Sequence, residues 1–207
     1  MSRLVGKFFV VTALGCVASL ALADRLVNVP TARPLSKNSI RFEYLGGLNN
    51  SSAKEEFLAF SALNGVELEV RRRLRPEESG RTTFDLSYNV LSPVASTAPG
   101  IALGILDGLG ETIDGRRAFI AFTFRELLEI GEVGENGDVT LGYQTGALSG
   151  AFVGISLPFS GRTRLIAEHN GARITAGFET NLLKGLDAKI FVQEKLLLGG
   201  ISFSRKF

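Results

Sequence analysis

The chain ends Leu197-Leu198-Gly199-Gly200-Ile201-Ser202-Phe203-Ser204-Arg205-Lys206-Phe207, and this stretch decides the fold. Read back from Phe207, the residues Phe203, Ile201 and Leu197 fall on one face, with Ser204, Ser202 and Gly200 on the other. Alternation of period two marks a β-strand, because successive side chains point to opposite sides of a sheet. The same rhythm recurs upstream. Ile40, Phe42 and Tyr44 oppose Arg41 and Glu43, and Val66, Leu68 and Val70 oppose Glu67, Glu69 and Arg71. Phe84 to Val90, Val139 to Tyr143 and Ala172 to Phe178 alternate in the same way, and Ile190 and Val192 oppose Lys189, Phe191 and Gln193.

Turn residues divide these runs. Asn64-Gly65 and Asn170-Gly171 tolerate the positive φ of a two-residue hairpin. Asp114-Gly115, Asn136-Gly137 and Lys184-Gly185 mark further connections, as do Pro76, Pro93, Pro99 and Pro158. The spacing predicts strands near 39–47, 55–62, 66–74, 82–91, 100–107, 116–124, 138–145, 150–157, 162–168, 172–179, 187–195 and 197–206. An even count puts both termini on one side. Residues 125–135 form the longest expected connection, with room for a helical turn over 125–130. On the assigned topology that connection faces the periplasm, where turns are usually short. Either a strand is miscounted or the loop meets a periplasmic partner.

At the other terminus, Arg3 and Lys7 precede an apolar stretch from Phe8 to Leu22, and Ala21-Leu22-Ala23 offers small residues to a signal peptidase. The apolar core is about 15 residues, short of the roughly 20 that a membrane helix needs. Cleavage before Asp24 is therefore expected over a membrane anchor or lipidation at Cys16, whose following residues stay apolar. The 23 Lys and Arg and 21 Asp and Glu of the chain then become 21 of each, and the case for a nucleic-acid partner vanishes. The single cysteine leaves with the leader. No disulfide remains to staple an exported chain, so the fold alone must hold it.

Alternation alone suits a soluble β-sandwich as well as a barrel. Three features favour the barrel. The apolar faces are rich in aromatics, with 15 Phe and no Trp. Charges of both signs share the opposite face. Hydrocarbon offers no partners for backbone groups, so a lipid-facing sheet must close on itself. The fold expected is all-β: a closed antiparallel transmembrane β-barrel of about twelve strands over 39–207, with residues 24–38 in the periplasm or the lumen. The competing reading is a soluble periplasmic β-sandwich that binds a lipid or glycan.

A final strand ending on an aromatic resembles the carboxy-terminal recognition signal of bacterial outer-membrane barrels, with Arg205 standing where a second apolar residue is usual. The resemblance implies outer-membrane lipid and lipopolysaccharide as surroundings and the barrel-assembly machinery as a partner during insertion. Leu26-Val27-Asn28-Val29-Pro30-Thr31-Ala32 resembles the opening of YjbH-type outer-membrane barrels. Tyr88 to Pro93 followed by Ala98 to Ile105 is similar to their proline loop and glycine-rich strand, and Leu165 to Gly171 to their Ala-Glu-aromatic-Asp-Gly hairpin. Here His169 replaces the aromatic and Asn170 the Asp. The resemblance implies a non-enzymatic envelope protein that assists exopolysaccharide production or export beside polysaccharide export proteins. It supplies no catalytic residues.

The residues themselves point the same way. His169 is the only histidine, and its neighbour Glu168 diverges from it on a strand. Next to Asn170-Gly171 it reads as a hairpin-tip residue, not a catalytic one. None of the 24 glycines forms a phosphate loop between strand and helix, and no cofactor or zinc-type metal site is expected. Gly142, Gly177 and Gly200 read as structural, making room for large side chains. The alternation points Arg41, Glu43, Glu67, Glu69, Arg71, Asp85, Arg164, Glu168, Arg173 and Glu179 inward. Mixed signs favour salt-bridged networks that choke a narrow interior over a selectivity ring. The run Arg71, Arg72, Arg73 and Arg75 falls near the outer rim, where guanidinium groups suit lipopolysaccharide phosphates. The alternative is a rim cluster paired with Glu77 and Glu78.

Overall fold

The computed structural model describes residues 26–75, 78–130 and 133–207; the export leader expected over residues 1–23 lies outside them. Its strands are β1 (Ser39–Gly47), β2 (Lys54–Leu63), β3 (Val66–Arg75), β4 (Glu78–Leu91), β5 (Gly100–Leu106) and β6 (Arg117–Ile130). They continue with β7 (Val133–Gly146), β8 (Gly150–Ser160), β9 (Thr163–His169), β10 (Ile174–Leu183), β11 (Leu186–Gln193) and β12 (Leu196–Lys206). Every strand pairs antiparallel with the next, and β1 pairs with β12, so one sheet closes on itself without an edge. The expected all-β, twelve-strand closed barrel is what the chain forms. A two-layer sandwich is excluded, because all twelve strands of the described residues belong to the one closed sheet.

The polarity of the wall is inverted relative to a water-soluble core. Phe42, Leu58, Val70, Leu103, Leu141 and Phe203 point outward and are exposed, while Arg41, Glu69, Arg71, Asp85 and Gln193 are buried inside. Apolar surface on this scale must be covered by something, and a closed sheet leaves no free strand edge to cover it by pairing. This is a barrel of the transmembrane type.

Two expectations need correction. Residues 125–135 are neither a loop nor a helical turn: β6 runs to Ile130, β7 starts at Val133, and the two stay in register from Arg117↔Gly146 to Ile130↔Val133. Cross-strand chemistry decides it, because Arg125 Nε donates to Asp138 Oδ1 at 2.8 Å across that register. The ribbon outruns its neighbours. Pairing of β6 with β5 stops at Thr123, and pairing of β7 with β8 stops at Asp138. The loop before β5 braces it, with Ser96 N–H donating to Arg125 O at 2.9 Å and Ser96 Oγ to Glu126 Oε2 at 2.6 Å. The second correction concerns residues 170–173, which form a four-residue connection in place of a two-residue hairpin. Asn170 Oδ1 accepts from Ala172 N at 3.0 Å and Arg173 N at 2.8 Å, an Asx turn that delays β10 to Ile174.

The seam between β1 and β12 spans Ser39↔Lys206 to Gly47↔Leu198. Beyond it, Phe207 N–H donates to Asn38 O at 2.9 Å, and the Phe207 ring stacks on Phe60 of β2 with centroids 6.3 Å apart. Asn38 and Phe207 therefore define a terminal end of the barrel. The opposite, far end carries the loops after the odd-numbered strands.

Candidate functional site

The feature that sets this barrel apart is what fills it. Residues 26–37 enter at the terminal end and run up the bore as an irregular strap. Leu26, Val27, Val29, Ala32 and Leu35 are all buried there, although they belong to no strand. An irregular segment inside a barrel must find hydrogen-bond partners on the wall, since it has no sheet of its own. It finds them in order. Leu35 N–H donates to Glu67 Oε2 at 2.9 Å, Ala32 N–H to Thr123 Oγ1 at 2.8 Å, and Val29 N–H to Glu168 Oε2 at 3.0 Å. Glu168 also accepts from Asn28 N at 2.9 Å and from Asn28 Nδ2 at 2.7 Å. Asn28 Oδ1 in turn accepts from Arg73 Nη2 at 2.6 Å.

The wall is shaped to receive the strap. A Cβ added at Gly154 would overlap Leu26 Cδ1, and one at Gly100 would lie 2.8 Å from Ala32 Cβ. Elsewhere large interior side chains lie over a directly paired glycine. Phe119 faces Gly104, Phe152 faces Gly142, Phe191 faces Gly177 and Leu45 faces Gly200. At each of these glycines an added Cβ would collide with the facing side chain. Gly142, Gly177 and Gly200 thus have the structural work expected of them. A cavity of about 30 Å³ beside Pro30, Thr31, Glu67, Asp85 and Phe119 has room for a water or two.

Around the strap the interior charges sit in clusters. Arg41 Nη2 lies 3.4 Å from Glu67 and 3.3 Å from Glu69. Lys189 Nζ bridges Glu43 at 2.6 Å and Glu179 at 3.1 Å. Arg71 meets Asp85 at 2.8 Å, and Arg73 reaches Glu55 at 3.3 Å and Asp114 at 3.6 Å. Arg173 shares Asp114 at 3.1 Å. Buried pairs of this kind offset their own desolvation without adding much stability, but removing one partner strands a charge and costs about 3–5 kcal/mol.

All ten inward residues named from the sequence face the interior, in three roles. Arg41, Glu43, Glu67, Glu69, Arg71, Asp85, Arg173 and Glu179 form ion pairs. Arg164 donates instead to Ser156 Oγ at 2.9 Å and to the carbonyls of Asn136 and Ser156. Glu168 is the anchor of the strap. The four-arginine rim cluster is not assembled. Arg71 and Arg73 are 1% and 2% exposed and point into the bore, because neighbours on a strand diverge. Arg72 points outward and donates to Gly80 O at 3.2 Å. Glu77 and the side chains of Arg75 and Glu78 lie outside what is described. His169 ends β9, with its Nδ1 accepting from Gly171 N–H at 3.4 Å, as a hairpin-tip residue would.

Several interior residues escaped the sequence reading. Glu55, Asp114, Asp138, Arg73 and Lys189 are as buried as those named, and the strap that Asn28 anchors is the largest omission. A signal existed: Phe57, Phe119, Phe152 and Phe191 occupy inward positions, where a wet channel would place polar groups. Phenylalanine there calls for apolar neighbours, and the strap supplies them with Leu26, Val27 and Val29.

At the far end, Asp107 opens the connection after β5. Its carboxylate is buried, which opposes ionisation. Hydrogen bonds from Thr83 Oγ1 at 2.6 Å, Thr112 Oγ1 at 2.7 Å, Thr112 N at 2.7 Å and Glu111 N at 2.9 Å outweigh that and hold its pKa below the ordinary carboxylate value. Among the described residues no group of three or more His, Cys, Asp or Glu is arranged to hold a metal ion.

No family model and no curated protein matches this chain. Among solved structures, it is similar to the N-terminal β-barrel domain of Pseudomonas aeruginosa OprF, over 81% of this chain and 98% of that one, with 13% identity and a TM-score of 0.28.

Proposed function

We propose that this chain is a non-enzymatic β-barrel of the bacterial outer membrane whose bore its own N-terminal strap keeps shut, an envelope component and not a general porin. The observation that carries this reading is an occupied interior inside an apolar outer belt. A filter or pore needs a continuous polar path. Here the strap, four interior phenylalanines or leucines over glycine and the paired charges take up that path. The belt needs acyl chains around it, which makes outer-membrane lipid and lipopolysaccharide the natural surroundings. The export leader and the carboxy-terminal aromatic strand agree with delivery by the barrel-assembly machinery. The resemblance to YjbH-type barrels extends the reading to exopolysaccharide production or export, with polysaccharide export proteins as partners.

Planar-bilayer recording tests the closed bore. The intact protein is expected to give no large steady openings, whereas a variant lacking residues 26–35 opens. Steady porin-like currents from the intact chain would overturn the reading. Fractionation tests the location: a lipid-embedded barrel pellets with the outer membrane and migrates differently on gels before and after boiling. Recovery in the aqueous extract without a boiling shift would end it.

A further inference from the structure

Where the strap enters the bore, a recess of about 440 Å³ opens at the terminal end. Its floor is the strap itself, from Arg33 to Lys37; its walls are the Asn64-Gly65 turn, Ser92 and Pro93 before β5, and Arg125 and Asn136 of the ribbon. Three cations line it, and among the described residues no carboxylate does. Asp138 lies behind the wall, where Arg33 Nη1 reaches it at 2.5 Å and Arg125 engages it through Nε and Nη2. One carboxylate thus faces two guanidinium groups, and Arg125 Nη1 keeps its donors for another acceptor. Lys37 is exposed, and among the described residues it has no carboxylate within ion-pair distance. Asn64, Asn136, Ser36 and Ser92 add neutral hydrogen-bonding groups around the same space.

We propose that this recess binds a small hydrophilic anion, with a carboxylate or phosphate group held between Lys37 and Arg125 and hydroxyls met by the amides and serines. The volume suits a ligand of one or two sugar units. The lining argues against an acyl chain, since Leu35 is buried beneath the floor and Pro34 and Pro93 are the apolar remainder. A guanidinium fork presents a planar pair of donors to a carboxylate or phosphate, while the lysine adds a mobile point charge. Because the strap forms the floor, an occupied recess ties strap to wall at the mouth. Neither the recess nor its charges depend on which membrane surrounds the barrel.

Isothermal titration on the detergent-purified full chain at low ionic strength tests this, with D-glucuronate, inorganic phosphate and neutral D-glucose as probes. The expected result is binding of glucuronate, phosphate or both, with no heat from glucose. Glucuronate alone would identify a carboxylated sugar as the ligand class, and phosphate alone a phosphorylated one. The double variant K37Q/R125Q is expected to weaken anion binding at least tenfold while leaving the boiling-dependent gel shift unchanged, since Arg33 still satisfies Asp138. Lys184→Gln, an exposed change elsewhere at the terminal end, should bind as wild type does. Equal binding of glucose, absence of binding by both anions, or an equal loss in Lys184→Gln would overturn the proposal.

Discussion

Glu168 is the residue on which the strap depends. Its carboxylate accepts from two backbone N–H groups and one side-chain amide of residues 28 and 29. An amide in its place, Glu168→Gln, would offer one acceptor and turn an NH2 toward donors. Hydrogen bonds to a charged group are worth about 1.5–3 kcal/mol. The Asn28 and Val29 amides are therefore expected to exchange roughly 30-fold faster in this variant, with the barrel amides unchanged; equal rates would contradict the anchoring role. Asp107 makes a pH prediction. With its folded pKa lowered, its stabilising contribution is present above the unfolded value near 4 and is lost as pH falls through the lower folded value. The Glu111 and Thr112 amides should stay protected at pH 4 and open below it, as read by hydrogen exchange. Opening already at pH 5–6 would refute the assignment. Alternation pointed to Glu168 as inward but not to its partners, because these lie about 140 positions away on a segment without a strand rhythm.

Among elements, the strap and the β6–β7 ribbon were the hardest to read. Both lack the cue that made the strands visible. The strap has no alternation, because it is buried on all sides and its donors pair irregularly along the wall. The ribbon carries Arg125-Glu126-Leu127-Leu128-Glu129-Ile130, a composition that favours helix, yet its backbone is committed to β7 through fourteen paired positions. Local preference lost to pairing partners already fixed by the barrel. The other strands were legible to within a few residues because each sits between two neighbours with one oily and one wet side. Gly154 gives the element-scale test. Gly154→Val places a side chain where Leu26 Cδ1 now sits, so the strap cannot dock fully. The variant is expected to insert and show the boiling shift, but to give flickering openings in planar bilayers that wild type lacks. A silent Gly154→Val barrel would mean that the ion pairs alone seal the bore.

For the whole molecule, the prediction concerns processing of the leader expected from the sequence. Leu26, the first of the described residues, is buried inside the barrel. Ala21-Leu22-Ala23 is the proposed signal-peptidase site. Intact-mass measurement of the membrane-extracted protein is expected to place the first residue at Asp24; a chain starting at Met1 and still closed in bilayers would contradict this. The overall plan, from twelve strands to inverted polarity, could be read from the chain because a two-sided wall writes itself into every second residue. The contents of the bore could not, because contacts between distant parts leave no periodic trace.

The ring of Phe207 over Phe60 bears on how firmly the closed wall is fastened. The first and last strands must meet across nearly the full chain length, an expensive loop closure that only comes late. Phe207 adds a latch to the nine pairs of the seam, joined through its N–H to Asn38 and through its ring to a strand beyond the junction. Phe207→Ala would leave those nine pairs in place and strip the clasp alone, so the cylinder would stay shut but fray first at that end.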